Sequence, residues 1–96
     1  MNKEEKIKKR AIIKVYGKVQ GVFFRHSTKL MAQEFGLKGF VRNEIDGSVL
    51  IMAEGEAERL NELIKWARIG PPSAEVKNIE IKWEDYQGEF NEFFIA

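Results

Sequence analysis

The nine residues Gly17-Lys18-Val19-Gln20-Gly21-Val22-Phe23-Phe24-Arg25 hold most of the chemistry this chain offers. They lie between a strand-like and a helix-like stretch. In such a loop, successive backbone N–H groups are free to converge on one point, and the first turn of the helix adds partial positive charge. Glycines at both ends permit conformations that a Cβ penalises and let a ligand approach the backbone closely. Arg25 brings a permanent positive charge on a planar fork of donors. This set suits a phosphate or a carboxylate. The competing reading is a tight strand–helix turn followed by a surface arginine.

The elements that must carry this loop follow from periodicity. Ala11, Ile13 and Val15 alternate with Ile12, Lys14 and Tyr16, which predicts a strand ending at Gly17. Phe24, Thr28, Met31, Ala32 and Phe35 recur at helical spacing, and Gly36 stands where a left-handed cap closes a helix. Lys38 to Asn43 reads as a second strand. Asp46-Gly47 marks a hairpin into a third, Ser48 to Glu54, on which Val49, Ile51 and Ala53 share a face. Gly55 is expected to open a second helix, with Glu56 and Glu58 in its first turn and an apolar stripe of Leu60, Leu63, Ile64 and Ala67. Lys65 and Arg68 suit its negative end, and Gly70-Pro71-Pro72 stops it. Ile79, Ile81 and Trp83 alternate with Glu80, Lys82 and Glu84 in a fourth strand, and a short last strand is expected around Glu92 to Ile95. Met31, Phe35 and Trp66 read as core or partly buried residues of helix faces. Two amphipathic helices cannot cover both faces of such a sheet. The economical arrangement is α+β: a ferredoxin-like split β-α-β sandwich with both helices on one face of a four- to five-stranded antiparallel sheet.

Composition narrows the function classes. A chain of 96 residues with 44% hydrophobic and 32% charged residues is one globular domain. With Cys 0 and His 1 there are no disulfides, thiolate sites or histidine clusters, so neither a metal nor a cofactor is expected. No apolar run approaches the ~18 residues of a bilayer span, and no signal-peptide pattern follows the basic start, so the expected location is cytoplasmic, away from membranes. Residues 1–10 form a basic N-terminal tail of net +3, read as a flexible arm or the frayed start of the first strand. The rest of a chain whose formal net charge is +1 therefore carries −2, a poor electrostatic footprint for nucleic acid.

The string G-K-V-Q-G-V-F-F-R resembles the acylphosphatase signature G-x-V-Q-G-V-x-F-R. A second element, Gly36-Leu37-Lys38-Gly39-Phe40-Val41-Arg42-Asn43, is similar to that family's G-L-x-G-W/F-V-x-N pattern. Asp46-Gly47 and Gly70-Pro71-Pro72-Ser73-Ala74-Glu75-Val76 look like its hairpin and its G-P-P-x-A-x-V segment. The resemblance covers residues 11–96. Phe40 stands where many relatives carry Trp, which keeps an aromatic ring without the indole donor.

That resemblance implies metal-independent hydrolysis of the carboxyl–phosphate bond of small-molecule acyl phosphates, with inorganic phosphate as product and inhibitor; nothing in the sequence demands more than a monomer. It assigns catalysis to Arg25 and Asn43. Substrate phosphate falls to the loop residues Lys18, Val19, Gln20, Gly21, Val22, Phe23 and Phe24 together with Arg25, with Gly17 and Thr28 in support. The implied roles are that loop N–H groups and Arg25 hold the phosphoryl group while the Asn43 amide holds the attacking water. A substrate phosphoryl oxygen is left to take the water's proton. His26, alone at a helix start, reads as solvated rather than as a base.

Two other readings compete. Lys38-Gly39-Phe40-Val41 is similar to the K-G-F motif of RNA-recognition domains, but it sits on the second strand and Arg42 stands where a stacking aromatic is needed. A non-catalytic anion-binding domain, such as those within larger carbamoyl-transferring proteins, keeps the same loop. The lack of zinc-finger cysteines favours a free-standing hydrolase.

Overall fold

The computed structural model describes residues 6–96. The elements follow in the order β1 (Lys8–Lys18), α1 (Phe24–Glu34), β2 (Lys38–Asn43), β3 (Val49–Glu56), α2 (Ala57–Ala67), β4 (Glu75–Asp85) and β5 (Phe93–Ile95). The five strands form one sheet in the order β4-β1-β3-β2-β5. Alternation sets its two faces. Ala11, Ile13 and Val15 on β1, Val41 on β2, and Val49, Ile51 and Ala53 on β3 are all fully buried. They share one core with Phe24 and Ala32 of α1 and Leu60, Leu63, Ile64 and Ala67 of α2. Both helices therefore cover one face, and the rings of Phe24 and Trp66 meet between them with centroids 5.4 Å apart. Phe40 lies among Phe90 and Phe94, at 5.9 and 6.0 Å, so the aromatic position keeps its packing. Among the described residues no helix is long and apolar enough to cross a membrane.

Strand direction decides where the functional end lies. β1 is antiparallel to β3 and to β4, and β3 is antiparallel to β2. β1 and β2 thus run the same way, so Lys18 and Asn43 end on the same edge of the sheet.

The last strand corrects the expectation of an antiparallel sheet: β5 pairs with β2 in parallel, Gly39 with Phe93 and Val41 with Ile95. The cause is topological. β4 ends at the edge opposite the loop, and the connection over residues 86–92 stays at that edge. A strand re-entering from there must run with β2. The connection is held by buried Glu54, whose carboxylate accepts hydrogen bonds from the N–H groups of Gln87 (2.7 Å) and Glu89 (3.2 Å) and from Arg10 Nε (3.0 Å).

The expected tail is corrected at its second half. Residues 1–5 lie outside the described residues, but Lys8, Lys9 and Arg10 are already in β1, paired with Glu56, Gly55 and Glu54. Charged residues carry no apolar period, so their pairing is invisible to a hydrophobic pattern. For the same reason β3 runs on through Gly55 and Glu56, where a helix start was expected, and α2 begins at Ala57. β4 also starts earlier than expected, at Glu75.

Candidate active site

The loop between β1 and α1 owes its shape to three backbone positions. Gly17 has φ 127°, and a Cβ there would lie 2.2 Å from the Glu75 carbonyl oxygen. Its glycine thus answers the close approach of β4 at a register shift between Tyr16 and Gly17, rather than a ligand. Gly21 has φ 76° with nothing near its missing Cβ, so the conformation alone demands glycine and the space beside it stays open. Phe23 is left-handed at φ 67°, ψ 20°, the one described non-glycine residue with positive φ. Left-handed Gly21 and Phe23 flank Val22, an alternation of hand of the kind found in anion-binding nests.

Those donors are free. From Gln20 to His26, no backbone N–H donates to another backbone group among the described residues; the first such bond is Ser27 N–H to the Phe23 carbonyl at 3.0 Å. The N-cap residue Phe23 offers no capping side chain, and the first turn of α1 carries no acid. By contrast, the first turn of α2 has Glu58. The positive end of α1 is therefore left uncompensated beside the loop.

A cavity of about 340 Å³ opens here, lined by Val19, Gly21, Phe23, Phe24, Arg25, His26, Asn43 and Ile95. No carboxylate borders it. Asn43 Oδ1 is buried and has no hydrogen-bond partner among the described residues. An unsatisfied buried amide oxygen is costly, so this acceptor is held at a standing expense. A larger cavity of about 530 Å³ lies at the opposite edge, near Lys8, Tyr86 and Phe90. It mixes cations with Glu54 and Glu56, whereas the loop and the orphan amide both border the smaller one.

Of the residues assigned from sequence, Val19, Gly21, Phe23, Phe24, Arg25 and Asn43 line this cavity, while Lys18, Gln20 and Val22 do not. Val22 is buried in the core. The Gln20 side chain turns away to donate to the carbonyls of Glu44 (2.8 Å) and Ser48 (2.9 Å), which ties the loop to the β2–β3 turn. Thr28 is buried and donates 2.7 Å to the Phe24 carbonyl, so it braces the start of α1 from within. His26 borders the cavity yet stays exposed. Ile95 was missed by sequence reasoning, since one apolar residue in a three-residue strand carries no signal of where that strand docks.

A family model described as Acylphosphatase matches residues 11–95. An acylphosphatase of Pyrobaculum calidifontis is 54% identical over 87 residues, which is 90% of this chain and 79% of that protein. Among solved structures, an acylphosphatase from Coxiella burnetii superposes with TM-score 0.89 at 35% identity, covering 100% of both chains. The crystal structure of acylphosphatase from Bacillus subtilis gives TM-score 0.88 at 32% identity, covering 92% of this chain and 98% of that one.

Proposed function

The chain belongs to the acylphosphatase family, and from that premise we propose how its residues divide the hydrolysis of an acyl phosphate between them. The activity is cleavage of the carboxyl–phosphate anhydride to a carboxylate and inorganic phosphate. The phosphoryl oxygens take up the free N–H groups of the loop and the fork of Arg25. Water attacks phosphorus, the bond to the acyl oxygen breaks, and the carboxylate leaves with the bonding pair. The proton of the water passes to a phosphoryl oxygen. A carboxylate is a good leaving group, so positioning and charge stabilisation carry most of the catalysis.

The observation that carries this reading is the buried, unpartnered Oδ1 of Asn43 in the cavity that also holds Arg25 and the loop. A neutral amide is no base at neutral pH, but it offers both a donor and an acceptor, which suits holding the nucleophilic water and fixing its orientation. Arg25 forms no ion pair among the described residues, so its charge is available to substrate. The reading extends to a cytoplasmic monomer acting on a small molecule, with phosphate both product and competitive inhibitor.

The test is turnover of acetyl phosphate in the presence of excess chelator. Undiminished hydrolysis is expected, with competitive inhibition by added phosphate. Loss of activity on chelation would reject the metal-independent scheme.

A further inference from the structure

Part of the cavity wall has no role in the hydrolytic step. Phe23 is 75% exposed and Ile95 39% exposed, yet both border the cavity that holds Arg25 and Asn43. Phe23 also holds a left-handed backbone, which a bulky side chain adopts only at a cost. Its ring is absent from the core, so packing does not explain a phenyl group there. Asparagine or glycine would meet the backbone demand more easily.

Ile95 arrives from the far end of the chain. Its parallel pairing with Val41, two residues before Asn43, brings it to the same edge of the sheet, and the Ala96 N–H bonds the Val41 carbonyl at 2.9 Å to hold it. An acyl phosphate whose phosphoryl group occupies the loop must leave its acyl group in the remaining space. The exposed apolar walls of that space are Phe23 and Ile95, and no carboxylate or lysine lies among its lining residues.

We propose that Phe23 and Ile95 form the subsite for the acyl group, and that it selects uncharged aromatic or bulky apolar acyl phosphates over short ones. The inference rests on the hydrolase reading above and adds a substrate class to it. Apolar contact with a ring or branched chain is removed from water on binding, whereas a methyl group reaches little of either wall.

The experiment compares kcat/KM for benzoyl phosphate and acetyl phosphate in the wild-type protein, Phe23→Asn and Ile95→Ser. Asparagine tolerates the left-handed backbone, so the first variant removes the ring without adding strain. Each variant is expected to lower the benzoyl-to-acetyl ratio about tenfold, mainly through a higher KM for benzoyl phosphate. An unchanged ratio in the folded variants would overturn the subsite while leaving the hydrolase reading intact. If one variant fails to fold, the other decides. Hydrolysis of neither compound by the wild-type protein would overturn both.

Discussion

The Gln20 side-chain amide donates a 2.8 Å hydrogen bond to the carbonyl of Glu44, the residue that follows Asn43. A second bond, 2.9 Å to the Ser48 carbonyl, uses the other proton of the same amide. The β1–α1 loop is thereby fastened to the strand end that carries Asn43. Gln20→Ala is expected to cost about 1–2 kcal/mol of stability, the worth of two partly buried hydrogen bonds. Because positioning is lost as well, kcat should fall about tenfold and phosphate inhibition should weaken. A lower thermal midpoint with an unchanged rate per folded molecule would reduce Gln20 to a purely structural tether.

Asn43→Ala separates holding the water from binding the phosphate. The loop and Arg25 remain, so inhibition by phosphate should stay near wild type while turnover falls by at least about 10²-fold. The buried Oδ1 has no partner to lose, so the thermal midpoint should not drop with the rate. Asn43→Asp should also be poor, since a carboxylate repels a phosphoryl dianion across the cavity. A rate per folded molecule equal to wild type would remove Asn43 from the mechanism.

Arg25→Lys and Arg25→Ala should both lose about 10²–10³-fold in kcat/KM, because an ammonium point charge does not reproduce a planar fork on two phosphoryl oxygens. Phosphate inhibition should weaken in both variants. The exposed side chain makes no hydrogen bond or ion pair among the described residues, so folding stability should hold. Full activity of the lysine variant would rule out bidentate binding.

Glu54→Ala tests the fastening at the opposite edge. Glu54 is 2% exposed and accepts from Arg10, Gln87 and Glu89. Its removal leaves two N–H donors without their acceptor and takes one of three carboxylates from Arg10, which keeps Glu84 and Glu89, at a cost of about 1–3 kcal/mol measured by denaturant unfolding. The freed connection should also loosen β5, seen as faster hydrogen exchange at the Ala96 amide than in the rest of the sheet. A change below about 1 kcal/mol would show that solvent reaches these groups.

Asp46 supplies a pH dependence. The Ser48 hydroxyl and then the Ser48 N–H bond its carboxylate, Lys14 adds a third bond, and its pKa is lowered from 3.8 to about 2. A carboxyl group whose folded pKa lies below its unfolded value favours the folded state above the unfolded pKa, and the benefit fades as pH falls through the folded one. The thermal midpoint of the wild-type protein should therefore decline more steeply between about pH 4 and pH 2 than that of Asp46→Asn. Equal slopes would show that the exposed turn contributes nothing.

The sequence by itself determined the parts of this protein that local physics controls. Period-two alternation at Ala11, Ile13 and Val15 identified residues that are fully buried, because a pleated strand offers no other way to sort its faces. The stripe Leu60, Leu63, Ile64 and Ala67 likewise lies in the core. The glycine-bounded loop and its arginine were legible because nest and helix-start geometry need particular residues at short spacing, while Asn43 entered through the resemblance of its segment to the family pattern.

What only the tertiary structure decided was which distant groups meet. That the Gln20 side chain faces the β2–β3 turn instead of the cavity, that Glu54 grips the chain beyond β4, and that β1 begins among charged residues all depend on partners 24 or more positions away. The direction of β5 is the clearest case. Three residues cannot specify parallel or antiparallel pairing by their own pattern. The outcome follows from the edge at which β4 ends and from the free side of β2, and with it comes the arrival of Ile95 beside Asn43.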